Sequence, residues 1–143
     1  MKMCGVKKQG YFSITLILVG IMLIGGCSPK NAIEIVINES FYSSFIVEGE
    51  KVYIECELMI KNSTGEDAIV EFYADFPDDV DLGLLEKSRL KGYQENREVS
   101  EFSLLEGETR IRVVFIGDFA GTNLKHDRNM PNITIEQKQS VKG

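Results

Sequence analysis

Four aspartates close together in the chain are the best candidates for metal chemistry. Asp75, Asp78, Asp79 and Asp81 lie in the stretch DFPDDVDLG, and calcium binds roughly six to eight oxygens from clustered carboxylates and carbonyls. Their spacing differs from that of the EF-hand loop, and Pro77 indicates a plain turn. We therefore expect a solvated acidic loop without a metal or other cofactor, and keep the four aspartates as weak metal candidates.

Few side chains could serve in catalysis. His126 is the only histidine, and the adjacent Asp127 is poorly placed to orient it as a triad aspartate would. Cys56 lies between Ile54 and Leu58, so we expect a buried, inert thiol. One histidine and one inward cysteine do not make a tetrahedral zinc set. We expect no catalytic residues and no enzyme activity.

A long polar loop, residues 117–132, is the candidate binding surface, because irregular stretches of this length are often functional. Lys125, His126 and Arg128 bring positive charge to an acidic chain, so they are the candidate partner-binding residues. In the alternative, which stays open, the loop folds over and caps the domain. The apolar residues available for such a cap are Phe119, Leu124 and Met130.

The first 26 residues have the features of a secretory signal peptide. Lys2, Lys7 and Lys8 precede an apolar stretch, residues 11–24, and two glycines follow it. The apolar stretch is shorter than the roughly 20 residues that a membrane span needs. An uncleaved anchor helix remains the alternative.

The tetrad Ile24-Gly25-Gly26-Cys27 resembles the lipobox of bacterial lipoproteins. In that family the cysteine thiol receives diacylglycerol, and the signal peptidase then cuts just before it. The resemblance implies a mature chain that begins at lipidated Cys27 on the extracytoplasmic face of the cell membrane. Leucine is commoner than isoleucine at the first position, and an ordinary cleavage site with a chance cysteine is the alternative.

A short tether and an acidic charge limit the partners. Residues 28–31 reach roughly 14 Å when fully extended, so the domain would lie close to the membrane and meet a membrane-proximal envelope protein. The formal net charge of −6 becomes −9 once the three lysines of the signal peptide are removed. Nucleic acid is therefore not an expected partner, and the domain should not lie flat on anionic lipid.

Cysteine use excludes an internal disulfide in the mature chain. The resemblance implies that Cys4 leaves with the signal peptide and that Cys27 carries lipid, so that Cys56 alone would remain. The domain must therefore be stabilised by its apolar core.

Period-two alternation predicts an all-β domain. The clearest strand is residues 51–62, KVYIECELMIKN, followed by the turn STGED and a second strand, AIVEFYADF, and we expect these two strands to form a hairpin. The expected inward residues of the pair are Val52, Ile54, Cys56, Leu58, Ile60, Val70, Phe72, Ala74 and Phe76.

Further strands are expected at residues 32–38, on both sides of the turn at 106–108, and at 132–137. Ile111, Val113 and Phe115 should face inward. Residues 82–93 fit either a helical turn or a short crossover strand.

Six or seven short strands without a long helix predict an antiparallel sandwich of immunoglobulin type over residues 32–139. The phrases ELMIKNSTGEDAIVEFYADF, EGETRIRVVFIG and DRNMPNITIE resemble small Ig-like domains of uncharacterised Gram-positive lipoproteins. We expect residues 1–26 to be the signal peptide and residues 27–31 the lipidated cysteine and its tether.

The expected function is that of a non-enzymatic binding or structural module of the cell envelope. A metal- or small-ligand-binding lipoprotein, or an accessory subunit of an envelope enzyme, is the alternative.

Overall fold

The protein's structure, a computed structural model, describes residues 32–122 and 127–141 and consists mainly of β-strands. The strands are β1 (Ile33–Ile35), β2 (Phe41–Glu48), β3 (Lys51–Asn62), β4 (Asp67–Asp75), β5 (Arg89–Tyr93), β6 (Phe102–Leu104), β7 (Gly107–Asp118) and β8 (Asn132–Val141). A turn of 3-10 helix, Ile37–Glu39, separates β1 from β2, and a short α-helix, α1 (Pro77–Asp81), follows β4. The all-β expectation is confirmed.

These eight strands form one antiparallel sheet that is nearly closed, with the order β1-β3-β7-β5-β4-β6. β1 pairs with residues 60–62 of β3 and β2 pairs with residues 51–57, so that the two occupy the same edge of β3. β8 pairs with the edge of β4 opposite β5 and β6. Within the described ranges, the sheet therefore ends at β1 and β2 on one side and at β8 on the other.

The core lies inside the curled sheet, and β3 shows why. Its alternate side chains Val52, Ile54, Cys56, Leu58 and Ile60 are at most 1% exposed, as a strand with one buried face requires. Burial raises the pKa of the Cys56 thiol to about 12, so that the thiolate does not form near neutral pH. The predicted inward residues of β4 are also buried.

The expected hairpin of β3 and β4 is wrong. β3 pairs with β7 along its whole length, whereas β4 pairs with β5, β6 and β8. The connection between β3 and β4 is organised by Asn62, whose buried amide donates to the carbonyl of Glu66 (2.9 Å) and accepts from the hydroxyl of Thr64 (2.6 Å). The turn therefore carries the chain from one group of strands to another.

The count of strands is eight rather than six or seven, because two segments had weak patterns. β2 contains a bulge between Tyr42 and Ser44, which interrupts its alternation. The ambiguous residues 82–93 begin irregularly, with Leu84 and Leu85 buried, and then form β5. β5 pairs with both β4 and β7, so the strand interpretation holds for Arg89–Tyr93.

A glycine allows β5 to pack closely on the core. A Cβ atom at Gly92 would lie 2.5 Å from Cγ1 of Val113, 3.1 Å from the Phe115 ring and 3.2 Å from Cβ of Phe72. Real Cβ atoms do not come so close to a neighbour, and well-packed cores tolerate added methyl groups poorly. Gly92 therefore sets the distance at which β5 joins its two neighbours.

We predict that Gly92→Ala lowers the free energy of unfolding by about 1–3 kcal/mol, because the added methyl group overpacks the core. Val113→Ala removes the nearest contact, so the double variant should be more stable than the sum of the two single effects indicates. Urea denaturation of all four proteins measures this coupling. Single effects that simply add would contradict the close approach.

Candidate interaction site

A buried ion pair connects the β7–β8 connection to the helix after β4. Nε and Nη2 of Arg128 both donate to Oδ1 of Asp79, at 3.2 and 3.0 Å. The side chains of Arg128 and Asp79 are only 12% and 5% exposed. Charged groups taken out of water in this way need partners, and the loss of one partner leaves the other buried and uncompensated.

Two aromatic residues of β2 complete the surroundings of Arg128. Its guanidinium carbon lies 3.7 Å from the centroid of the Phe45 ring, a cation–π distance. Tyr42 also lies beside Arg128, and burial raises the pKa of its hydroxyl despite the opposing effect of the guanidinium. The bulge in β2 supplies one extra residue between Tyr42 and Phe45, so both rings pack against the core.

The structure shows where the residues of the predicted loop, 117–132, lie. β7 continues to Asp118, so the irregular stretch begins at Phe119 rather than at residue 117. Phe119 and Met130 pack against the core, as the capping alternative requires. The charged group of Arg128 faces Asp79 rather than solvent. Lys125, His126 and Leu124 lie outside the described residues, and partner binding through this loop stays a prediction.

Two of the four aspartates of the acidic stretch pair with different arginine side chains. Asp79 bonds Arg128, and Asp75 lies 3.7 Å from Arg89. Pro77 begins the short helix α1 instead of a plain turn, which is a position that tolerates the missing N–H group. Across residues 32–122 and 127–141, the structure places no group of three or more His, Cys, Asp or Glu side chains where they could hold a metal ion.

Two depressions lie beside one another at this part of the surface. The first, of about 340 Å³, is formed by Tyr42, Phe76, Arg128 and the start of β8. The second is a groove of about 590 Å³ between β1 and β8. Residues 130–132 contribute to both.

The groove between β1 and β8 is lined chiefly by apolar side chains. They are Ile33, Ile35, Ile37, Met130, Pro131, Ile133 and Ile135. Glu34 is the one charged residue among the described residues that line it, and Ile37 at one end is 69% exposed. Such a surface suits an apolar ligand or an extended chain better than a small polar substrate.

A second buried carboxylate lies on the outer face of the sheet. Glu71 accepts from Nζ of Lys91 (2.8 Å), Nζ of Lys138 (2.9 Å) and the hydroxyl of Tyr73 (3.0 Å), and its side chain is 8% exposed. Hydrogen bonds from Lys91 and Lys138 lower the pKa of Glu71 to about 2. β8 contains one extra residue, Lys138, opposite the step from Ile69 to Val70 in β4. This bulge allows the Lys138 side chain to reach Glu71.

This cluster was not predicted from the sequence. Alternation along β4 assigns Glu71 to the outer face, where a solvated side chain is the ordinary expectation. Its partners come from β5 and β8, and their proximity depends on strand register, which a single sequence does not specify.

Comparison of the chain with known protein families, curated proteins and solved structures finds no match. In the part of the chain that the structure describes, no helix has the length and apolar character needed to span a bilayer. The residues themselves must therefore support any functional proposal.

We predict that Arg128→Glu lowers the free energy of unfolding by about 3–5 kcal/mol, because it places a second acid against buried Asp79. Lys87→Glu makes the same charge change at an exposed position and should alter stability by no more than about 0.5 kcal/mol. Chemical denaturation compares the two variants. Equal stability would show that the Asp79–Arg128 pair does not anchor the loop.

We predict an acid-sensitive contribution to stability from Glu71. Its folded-state pKa is below the ordinary value of 4.5, so the contribution is present above that value and is lost as the pH falls toward about 2. Glu71→Gln should be less stable than the native protein at pH 7 and lose less stability between about pH 5 and pH 2. The exposed Glu86→Gln is the matched control, and denaturation midpoints across pH provide the measurement.

Proposed function

We propose that this chain is an extracytoplasmic lipoprotein of the cell membrane whose β domain is a non-enzymatic binding or structural module of the envelope. The lipobox-like tetrad ending at Cys27 carries the proposal, together with the positive and apolar segments before it. Cys27 lies outside the described residues. β1 begins at Ile33, so the lipid and the folded domain would be separated by only a few residues.

Binding fits the described surface better than catalysis does. The single thiol of the domain, at Cys56, is fully buried with a raised pKa. The buried carboxylates of Asp79 and Glu71 are each held in an ion pair by an arginine or lysine side chain. An apolar groove flanked by two strand edges remains open at the surface.

We infer that the sheet belongs to a sandwich of immunoglobulin type. One layer would contain β1 and β2, β3 and β7, and the other β6, β4 and β8, with β5 bridging them. These pairings correspond to the A–B, B–E and C–F pairings of that fold. Amide hydrogen exchange tests the assignment. If the β4–β5 and β5–β7 bonds were both as protected as the β3–β7 bonds, the sheet would be a barrel instead.

The anchor is tested by Cys27→Ser in growing bacteria supplied with labelled palmitate. We expect the native chain to incorporate label and fractionate with membranes. The variant should lose the label and either accumulate as an uncut precursor or enter the medium, because the thiol is the acylation site. Cys4→Ser, which changes a cysteine within the same leader, is the matched control and should behave as native.

A further inference from the structure

Two unpaired strand edges flank the groove between β1 and β8. Within the described residues, β1 pairs only with β3, and β8 pairs only with β4. Unpaired edges present rows of N–H and C=O groups that accept another strand. In the immunoglobulin sandwich inferred above, β1 and β8 correspond to strands A and F, and in that fold strand F accepts a further strand, G, on its other edge.

The backbone of β1 is oriented to pair in the groove. The N–H of Val36 donates to the carbonyl of Met59, and the carbonyl of Ala32 accepts from Ser63. Hydrogen-bonded pairs alternate along an antiparallel ladder, so the N–H and C=O groups of Ile33 and Ile35 point away from β3. These are the groups that an added strand would meet.

The groove has the size of a short strand. The volume of one strand residue is roughly 160 Å³, which is the product of the rise per residue, the spacing between strands and the spacing between stacked sheets. The groove of about 590 Å³ therefore matches roughly four residues of extended chain.

The two strands that flank the groove run in opposite directions, because the five successive pairings from β1 through β3, β7, β5 and β4 to β8 are all antiparallel. A strand antiparallel to β8 would be parallel to β1.

We propose that this groove binds an extended basic segment of another envelope protein, which adds a strand between β1 and β8. Aliphatic side chains on alternate residues would cover Ile33, Ile35, Ile133 and Ile135, and lysine or arginine side chains on the other residues would face Glu34. The acidic charge of the chain, −6, attracts such a segment and repels a second copy of the protein. The inference rests on the proposed binding function and not on the lipid anchor.

The test uses the full chain in lipid nanodiscs and a fluorescein-labelled peptide of alternating lysine and valine. Fluorescence anisotropy measures its affinity. A peptide with glutamate in place of lysine tests the charge, and a peptide with N-methyl groups on alternate amides tests the main-chain pairing. We expect the lysine peptide to bind. The N-methylated peptide should bind at least about tenfold more weakly, because it loses more than one main-chain hydrogen bond. The glutamate peptide should bind about fivefold more weakly, because it loses the charge pair with Glu34.

Two pairs of variants locate the binding. Glu34→Lys should lower the affinity for the lysine peptide about fivefold. Glu98→Lys, an exposed charge reversal in the β5–β6 connection, should leave that affinity unchanged. Ile33→Pro removes an N–H group that faces the groove, at the first position of an edge strand, where proline is tolerated. The Ile33→Pro variant should bind the lysine peptide about tenfold more weakly than Ile33→Ala, which keeps the N–H group. Both variants should retain cooperative thermal unfolding.

Three results would overturn the inference. They are equal binding of the lysine and glutamate peptides, unchanged affinity in Glu34→Lys, and failure of the lysine peptide to bind. Failure accompanied by concentration-dependent dimers would assign the groove to a second copy. Palmitate labelling at Cys27 with no peptide binding would leave the anchored lipoprotein in place and remove this site.

Discussion

The pairing of β3 on both of its edges is the constraint on which the rest of the structure depends. Each of its 12 residues has a partner on β7, from Lys51 opposite Asp118 to Asn62 opposite Gly107. Its other edge holds β1 and β2, and its inner face supplies five fully buried core side chains. Because β7 is fixed by β3, β5 can pair with β7 and carry the sheet across to β4. A shift of one residue in β3 would turn its whole apolar face to solvent.

Cationic side chains on this acidic protein hold together strands that are distant in sequence. Asp79 and Glu71 are the two buried carboxylates within the described ranges. Asp79 pairs with Arg128, which precedes β8, and Glu71 pairs with Lys138 of β8. Both sites depend on a bulge, in β2 for the rings beside Arg128 and in β8 for Lys138. A bulge aims side chains where regular alternation does not, so these irregularities position the polar contacts that close the domain.

Alternation in the sequence predicted the fold class and the inward faces of β3, β4 and β7, because side chains with one buried face must alternate. The same reasoning missed β2, where a bulge breaks the period, and joined β3 to β4 as a hairpin, because adjacency in sequence was taken for adjacency in the sheet. Strand order depends on contacts such as that of Gly92 with Val113. The position of Arg128 could not be predicted for a related reason. Its charge indicated an exposed residue, and only the tertiary structure brings Asp79 and Phe45 to it.

An unpaired sheet edge exposes a protein to aggregation, and this chain limits that exposure in ways that still leave room for a partner. β1 is only three residues long, while β2 and β8 each carry an extra residue that distorts the edge. Net negative charge opposes the approach of a second copy, because both copies carry an excess of carboxylates and both would bring Glu34 to the contact. The same negative charge attracts a basic strand. The short edge and the bulges, in contrast, hinder the pairing of any incoming strand, whatever its charge. Charge is therefore the property by which an open edge of this kind can distinguish a partner from a copy of itself.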